Sequence, residues 1–217
     1  MTGNTNLTCW LTILLVAATL CWSSSNTGGA GPLGAAQEAA TPDPRRDMIT
    51  VLPATGPHPS LGDQARLFDR FVGTWDCDYA TYTKDGKVTR FSGEVIFGWI
   101  IDGHALQDIW ISYPKGAGTE RSIGTSVRYY DTKSAMLRVV WIAPAADTII
   151  KLTGGPVGDR IVLLGQDTDG SPLRWSFNEI RADSFVWRGE SSRDKGKTWW
   201  LQEEHHMKRR TGSSARP

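Results

Sequence analysis

Between residue 72 and residue 208, apolar and polar side chains alternate in short runs broken by turn residues, with no second long helical period. Strict alternation places every other residue on the same face of a pleated strand. The runs fall at 72–83, 88–100, 104–113, 121–130, 135–143, 148–153, 160–166, 172–180, 185–191 and 198–208. Turn chemistry separates them, clearest at Lys84-Asp85-Gly86-Lys87, Asp102-Gly103 and Asp169-Gly170, where Asp-Gly supplies the positive φ of a tight hairpin. Trp75, Cys77 and Tyr79 share one face of the first strand, and Phe91, Gly93, Val95, Phe97 and Trp99 one face of the second. Those faces turn inward. About ten strands with short connections predict an all-β fold, an antiparallel meander closed into a barrel. Ahead of it, Ser60 is an N-cap, and Leu61, Ala65, Phe68 and Val72 fall on one helical face. One short N-terminal helix is therefore expected to cover one end of the barrel.

The pattern before residue 60 is of another kind. Leu11 to Trp22 is an apolar run, and the first charged side chain is Glu38. Such a run is short for a membrane span, which needs roughly 20 residues, and small residues follow it. The segment 1–36 reads as a signal peptide cleaved somewhere within 23–36, and 37–59, rich in Ser, Gly, Ala and Pro, as a disordered linker. The barrel domain occupies 60–210 and a disordered tail 211–217. Export to the periplasm or the medium follows, with membrane attachment expected only for an uncleaved N-terminal segment. Cys9 and Cys21 lie in the targeting segment, which leaves Cys77 as a small buried apolar residue without a disulfide partner.

At 217 residues and 40% hydrophobic, the chain is long enough for one ordinary core. A formal net charge of +1, spread along the strands, excludes a nucleic-acid stripe. No His-x-x-x-His helix, Cys-x-x-Cys pair, phosphate loop or nucleophile elbow is present, so no metal motif is read.

Five segments carry a family likeness: Gly73-Thr74-Trp75, the run from Ile101 to Trp110, Arg138-Val139-Val140-Trp141, Arg174-Trp175-Ser176-Phe177 and Gly196-Lys197-Thr198-Trp199. Together they resemble a family of bacterial lipocalin-like, calycin-type domains of unknown function, over roughly residues 60–210. The resemblance implies a lipocalin-like barrel in which Gly73 and Trp75 are structural. There Trp75 plugs the closed end, and a terminal base, Lys208 or Arg209, stacks on its indole. No catalytic residue carries over. The nitrobindins, haem-binding barrels of related fold, often carry a Gly two residues after that Trp, where this chain has Cys77.

Eight tryptophans between Trp75 and Trp200 supply either packing or the walls of a cavity for a flat apolar ligand. Trp99, Trp141, Trp187 and Trp199 are candidate walls. Gln107 and Asp108 lie on opposite faces of one strand, so one of them is enclosed among aromatics whichever face is internal. Arg138, Arg174 and Arg188 either face in and pair with carboxylates or form an outer ladder. On the last strand Trp199, Leu201, Glu203, His205 and Met207 form the more apolar face. The expected ligand-binding set is thus Trp99, Gln107, Asp108, Trp141, Arg174, Trp187, Trp199 and Glu203, around a small hydrophobic or aromatic molecule. An alternative makes the cavity an isomerase or cyclase, with His205 oriented by Glu203 and Arg174 stabilising negative charge. A third makes it a haem-binding barrel with His205 as the axial ligand and His104 or His206 as substitutes. No cofactor is expected otherwise.

Overall fold

The ten alternating runs form ten strands because each can bury one face only by pairing with its neighbours in sequence. The computed structural model describes residues 47–113 and 121–211. It opens with α1 (Met48–Val51), β1 (Pro53–Ala54) and a 3-10 segment, Pro59–Ala65, that runs into α2 (Arg66–Asp69). The strands follow as β2 (Gly73–Tyr82), β3 (Val88–Ile100), β4 (Ala105–Tyr113), β5 (Ser122–Asp131), β6 (Met136–Ala143), β7 (Thr148–Val157), β8 (Arg160–Gln166), β9 (Pro172–Asn178), β10 (Ser184–Ser191) and β11 (Trp200–Arg209). From β3 onward each pairs antiparallel with its predecessor, and β11 pairs with β2. The result is a closed ten-strand up-and-down barrel with β1 added to the edge of β3, and closure leaves no long free edge. Among the described residues no helix is long and apolar enough to cross a membrane.

The inward faces agree with the alternation: Trp75, Cys77 and Tyr79 on β2 and Val95, Phe97 and Trp99 on β3 are all buried. Burial with Asp78 and Glu203 nearby pushes the Cys77 thiol up to about 12, so it packs as an apolar residue. Arg138, Arg174 and Arg188 stand outside. They pair across strands with Asp131 at 3.2 Å, Glu190 at 2.7 Å and Glu204 at 2.7 Å, and exposed pairs of this kind contribute about 1 kcal/mol or less each.

Three local expectations change. The helix before β2 is broken: Gly62 takes a non-helical φ of 52° and kinks the 3-10 segment Pro59–Ala65, and only Arg66–Asp69 form an α-turn. Phe71, off the expected apolar face, is nonetheless 1% exposed, since the bend into β2 drops its ring between Phe97, Phe177 and Phe185. Strand β7 does not stop at Thr153. It runs on through Gly154-Gly155-Pro156 paired with β8, and the turn is the two residues Gly158-Asp159.

Residues 47–59, assigned by composition to an unordered linker, instead pack on the barrel. Pro53 and Ala54 pair with Ile100 and Trp99, and the His58 amide donates to Gly103 O at 2.9 Å. The exposed backbone of β3 accepts the arm as one more partner, a tertiary effect that composition does not carry. The signal peptide over 1–36, the start of the linker and all of the expected tail but Thr211 lie outside the described residues.

The closed end is built on one contact. Arg209, the last residue of β11, lies with its guanidinium carbon 4.1 Å from the Trp75 ring centroid. The same group donates to Val72 O at 2.7 Å, Ala182 O at 2.8 Å and Arg70 O at 2.5 Å. The Trp75 indole N–H donates to Phe71 O at 2.7 Å, and its ring meets Phe185 edge-on at 4.8 Å. Gly73 has φ of 120°, and a Cβ there would come 3.0 Å from Arg209 Nη1. Gly-x-Trp thus bends the chain into β2 and leaves room for the arginine.

Trp75→Ala is expected to cost about 3–5 kcal/mol, the range for truncating a packed aromatic. Arg209→Met, which keeps the stem over the indole and loses the carbonyl contacts, should cost about 1–3 kcal/mol. Urea denaturation measures both, and a neutral Trp75 variant would show that the floor does not rest on it.

Candidate functional site

The end opposite Trp75 is open, and from it a cavity of about 420 Å³ reaches into the barrel. Its wall is aromatic because the inward positions near mid-barrel on β4, β6, β9 and β10 are all tryptophan. Trp110 meets Trp141 at 6.2 Å between ring centroids, Trp141 meets Trp175 at 6.2 Å, and Trp175 meets Trp187 at 5.2 Å, all near edge-to-face. His205 completes the circuit, 4.6 Å from Trp187 and 6.2 Å from Trp110. The contacts form a closed belt of four indoles and one imidazole. Trp141 has the space to lie across β5 because residue 124 is glycine, where a Cβ would come within 2.2 Å of the indole.

Beneath the belt lies a buried ion pair. Arg128 of β5 and Asp108 of β4 are each 4% exposed and form a salt bridge, and the Ser126 amide donates to the other Asp108 oxygen at 3.3 Å. The guanidinium carbon sits 5.3 Å from the Phe97 ring centroid and 5.7 Å from that of Phe177. Two phenyl rings therefore hold the cation where water does not screen it, and the carboxylate offsets its desolvation. Arg128 Nε and Trp110 Nε1 are buried with no hydrogen-bond partner among the described residues, and both side chains line the cavity.

At the mouth, His205 Nε2 lies 3.1 Å from a Glu203 oxygen. The imidazole is nearly buried, while the Glu203 side chain is 43% exposed. Tyr79, 4.7 Å from His205, bonds the Ser112 hydroxyl at 2.5 Å. Burial, with Glu203 adding to it, raises the Tyr79 phenol above its ordinary value against the opposing Ser112 bond. The arrangement offers a neutral aromatic box, a buried cation balanced by its carboxylate, and a hydrogen-bonded imidazole at the rim.

Of the residues expected to line the site, Asp108, Trp141, Trp187, Glu203 and His205 are brought together around the cavity. Four others are placed elsewhere. Gln107 points to the outer face, where it donates to Thr125 at 2.9 Å, because Asp108 takes the inner position of β4. Arg174 is outside on Glu190, so it cannot stabilise charge in the cavity. Trp199 stacks on Arg174, 4.4 Å from its guanidinium carbon. The cause is a bulge: Glu203 pairs with Gly189 but Leu201 with Glu190, so Gln202 is the extra residue and the alternation shifts before it. Trp99 is buried toward the closed end and donates to Asp69 at 3.1 Å. Arg128, Trp110 and Trp175 are the residues the alternation did not single out. For Arg128 the signal was cross-strand, since Leu106 and Val139, both buried, flank it in register.

Haem does not fit these residues. His205 is ringed by Tyr79, Trp110 and Trp187, and its Nε2 is held by Glu203. A macrocycle would have to break the belt to reach it. His206 is on the outer face, bonded to Glu204 at 2.9 Å, and His104 lies at the closed end stacked on His58.

No protein-family model matches the chain, and no curated protein matches it. Among solved structures it is similar to the S-type phycobiliprotein lyase CPES from Guillardia theta, at 12% identity and a TM-score of 0.50, over 68% of this chain and 92% of that one. It is similar also to Rv2717c from M. tuberculosis, at 14% identity and a TM-score of 0.50, over 71% of this chain and 99% of that one. A designed fluorescence-activating β-barrel matches at 13% identity with a TM-score of 0.34, over 65% and 94%. At these identities the first two share the fold, a closed antiparallel β-barrel.

Arg128→Met alone should destabilise the protein by about 3–5 kcal/mol, because it strands a buried carboxylate. Asp108→Leu with Arg128→Met should recover most of that loss. Denaturant titration of the single and double variants checks it, and equal stability of both would show that the pair is not coupled.

Proposed function

We propose that the chain is an exported member of the bacterial lipocalin-like domains it resembles, and that it holds one small, flat, aromatic or hydrophobic molecule bearing a hydrogen-bond acceptor. The observation that carries this reading is the belt of Trp110, Trp141, Trp175, Trp187 and His205 above two buried donors, Arg128 Nε and Trp110 Nε1. Indole faces and edges suit a planar ring system. The donors, already desolvated, reward an acceptor oxygen and reject an analogue lacking it. Small-molecule sites of this kind combine an apolar wall with a few convergent polar groups.

A second reading rests on the Glu203–His205 hydrogen bond at the rim, which places an oriented imidazole on the cavity for proton transfer. In that case Arg128 takes the charge-stabilising part first assigned to Arg174.

Tryptophan fluorescence titrated with planar aromatic acids, their esters and long-chain fatty acids tests the binding reading. Quenching by a planar acceptor-bearing probe is expected, weakened by Trp141→Ala and unchanged by Trp199→Ala. A folded protein silent to the whole panel would sink the proposal. Mass analysis of the recovered probe separates carrier from enzyme, since a probe returned unaltered by wild type and by His205→Gln alike removes the catalytic reading. Expression with the native N-terminus, followed by cell fractionation, should give a shortened product outside the cytoplasm. A full-length cytoplasmic product would overturn export.

A further inference from the structure

The turn from β3 to β4 lies at the closed end, remote from the cavity mouth. Ile101, Asp102 and Gly103 follow one another with φ of 52°, 53° and 78°. This left-handed run is costly for the first two residues and is held by what packs on it. A Cβ on Gly103 would come 2.4 Å from Gly56 O and 2.5 Å from His58 N. The Ile101 amide donates to Leu52 O at 3.2 Å, and the His58 amide to Gly103 O at 2.9 Å. The arm before the barrel is thereby pressed on the turn, and His58 comes to lie against His104 with ring centroids 4.0 Å apart and planes at 26°. With Asp102, the three side chains bring one ligand atom each to within 4.8 Å of one another.

We propose that His58, Asp102 and His104 bind one divalent first-row metal ion, with zinc as its representative, and that the ion clamps residues 47–59 to the barrel. Two imidazole nitrogens and one carboxylate oxygen are a borderline-soft set suited to zinc, with a fourth position left for water. Tetrahedral bonds of about 2.0–2.1 Å put donor atoms about 3.3 Å apart, so the three must close slightly. Asp102 and His104 are exposed and free to rotate by that amount, while the backbone beneath them is fixed. Ser60 holds the His58 ring in place: its amide donates to Nδ1 at 3.2 Å, and its hydroxyl lies 2.8 Å from the same nitrogen. The site is independent of the cavity, so its fate leaves the ligand-binding reading untouched.

Isothermal titration of untagged, chelator-treated full-length protein with zinc chloride should show one ion per chain. Saturation should raise the melting temperature by about 5 °C. His58→Ala and His104→Ala should each lose both signals, whereas His206→Ala should keep them. Hydrogen exchange at the amides of residues 52–60 should slow on adding zinc to wild type and not to His104→Ala. Absence of binding, or binding that survives both of the first two variants, would overturn the site. Binding without slower exchange would overturn the clamp. Were either variant unfolded, Asp102→Asn serves instead, and an unchanged zinc affinity in it would equally refute the assignment.

Discussion

The barrel is organised around the stacking of Arg209 on Trp75. The contact sits where β11 meets β2, the seam at which the meander becomes a cylinder. One guanidinium covers the indole face, and its fork reaches three carbonyls, two just before β2 and one before β10, while its charge lies over the ring. The indole N–H in turn fixes Phe71, which fills the floor. Everything above that floor, including the depth of the cavity, depends on the end being sealed.

A sealed floor changes the cost of what is placed above it. Asp108 and Arg128 are almost fully buried deep in the cavity, and each is tolerable only because of the other. Phe97 and Phe177 press on the cation, and the four tryptophans above make the mid-barrel wall apolar. Polarity inside the barrel is therefore confined to a few points with fixed geometry, and that confinement lets a cavity discriminate between ligands. The outer arginines follow the opposite logic. Arg138, Arg174 and Arg188 face water, and their pairs hold strand register with little effect on the interior.

The two ends of the barrel do different work. The open end carries the mouth, with Glu203 and His205 at its rim. At the closed end the N-terminal arm is pinned on the β3–β4 turn, which brings two histidines and an aspartate together from distant parts of the chain. Sealing the floor, pairing the ion pair and pinning the arm all use tertiary contacts between residues far apart in sequence.

Strand positions, turn residues, inward faces of β2 and β3 and the significance of Gly73 and Trp75 were legible in the sequence, because pleat alternation and turn chemistry are local. The same logic identified His205, Glu203, Trp141 and Trp187 as cavity residues. It could not choose between Gln107 and Asp108, since β4 carries apolar residues on both faces and only pairing with β3 and β5 decides which is enclosed. It misplaced Trp199, because one extra residue at Gln202 reverses the alternation and the bulge exists only opposite Gly189. It passed over Arg128, whose neighbours on its own strand face, Ser126 and Tyr130, give no apolar signal. The arm at 47–59 was read as unordered because its composition holds too little apolar surface to fold alone. What orders it is the backbone edge of β3 and the Gly103 turn, partners that exist only once the barrel has closed.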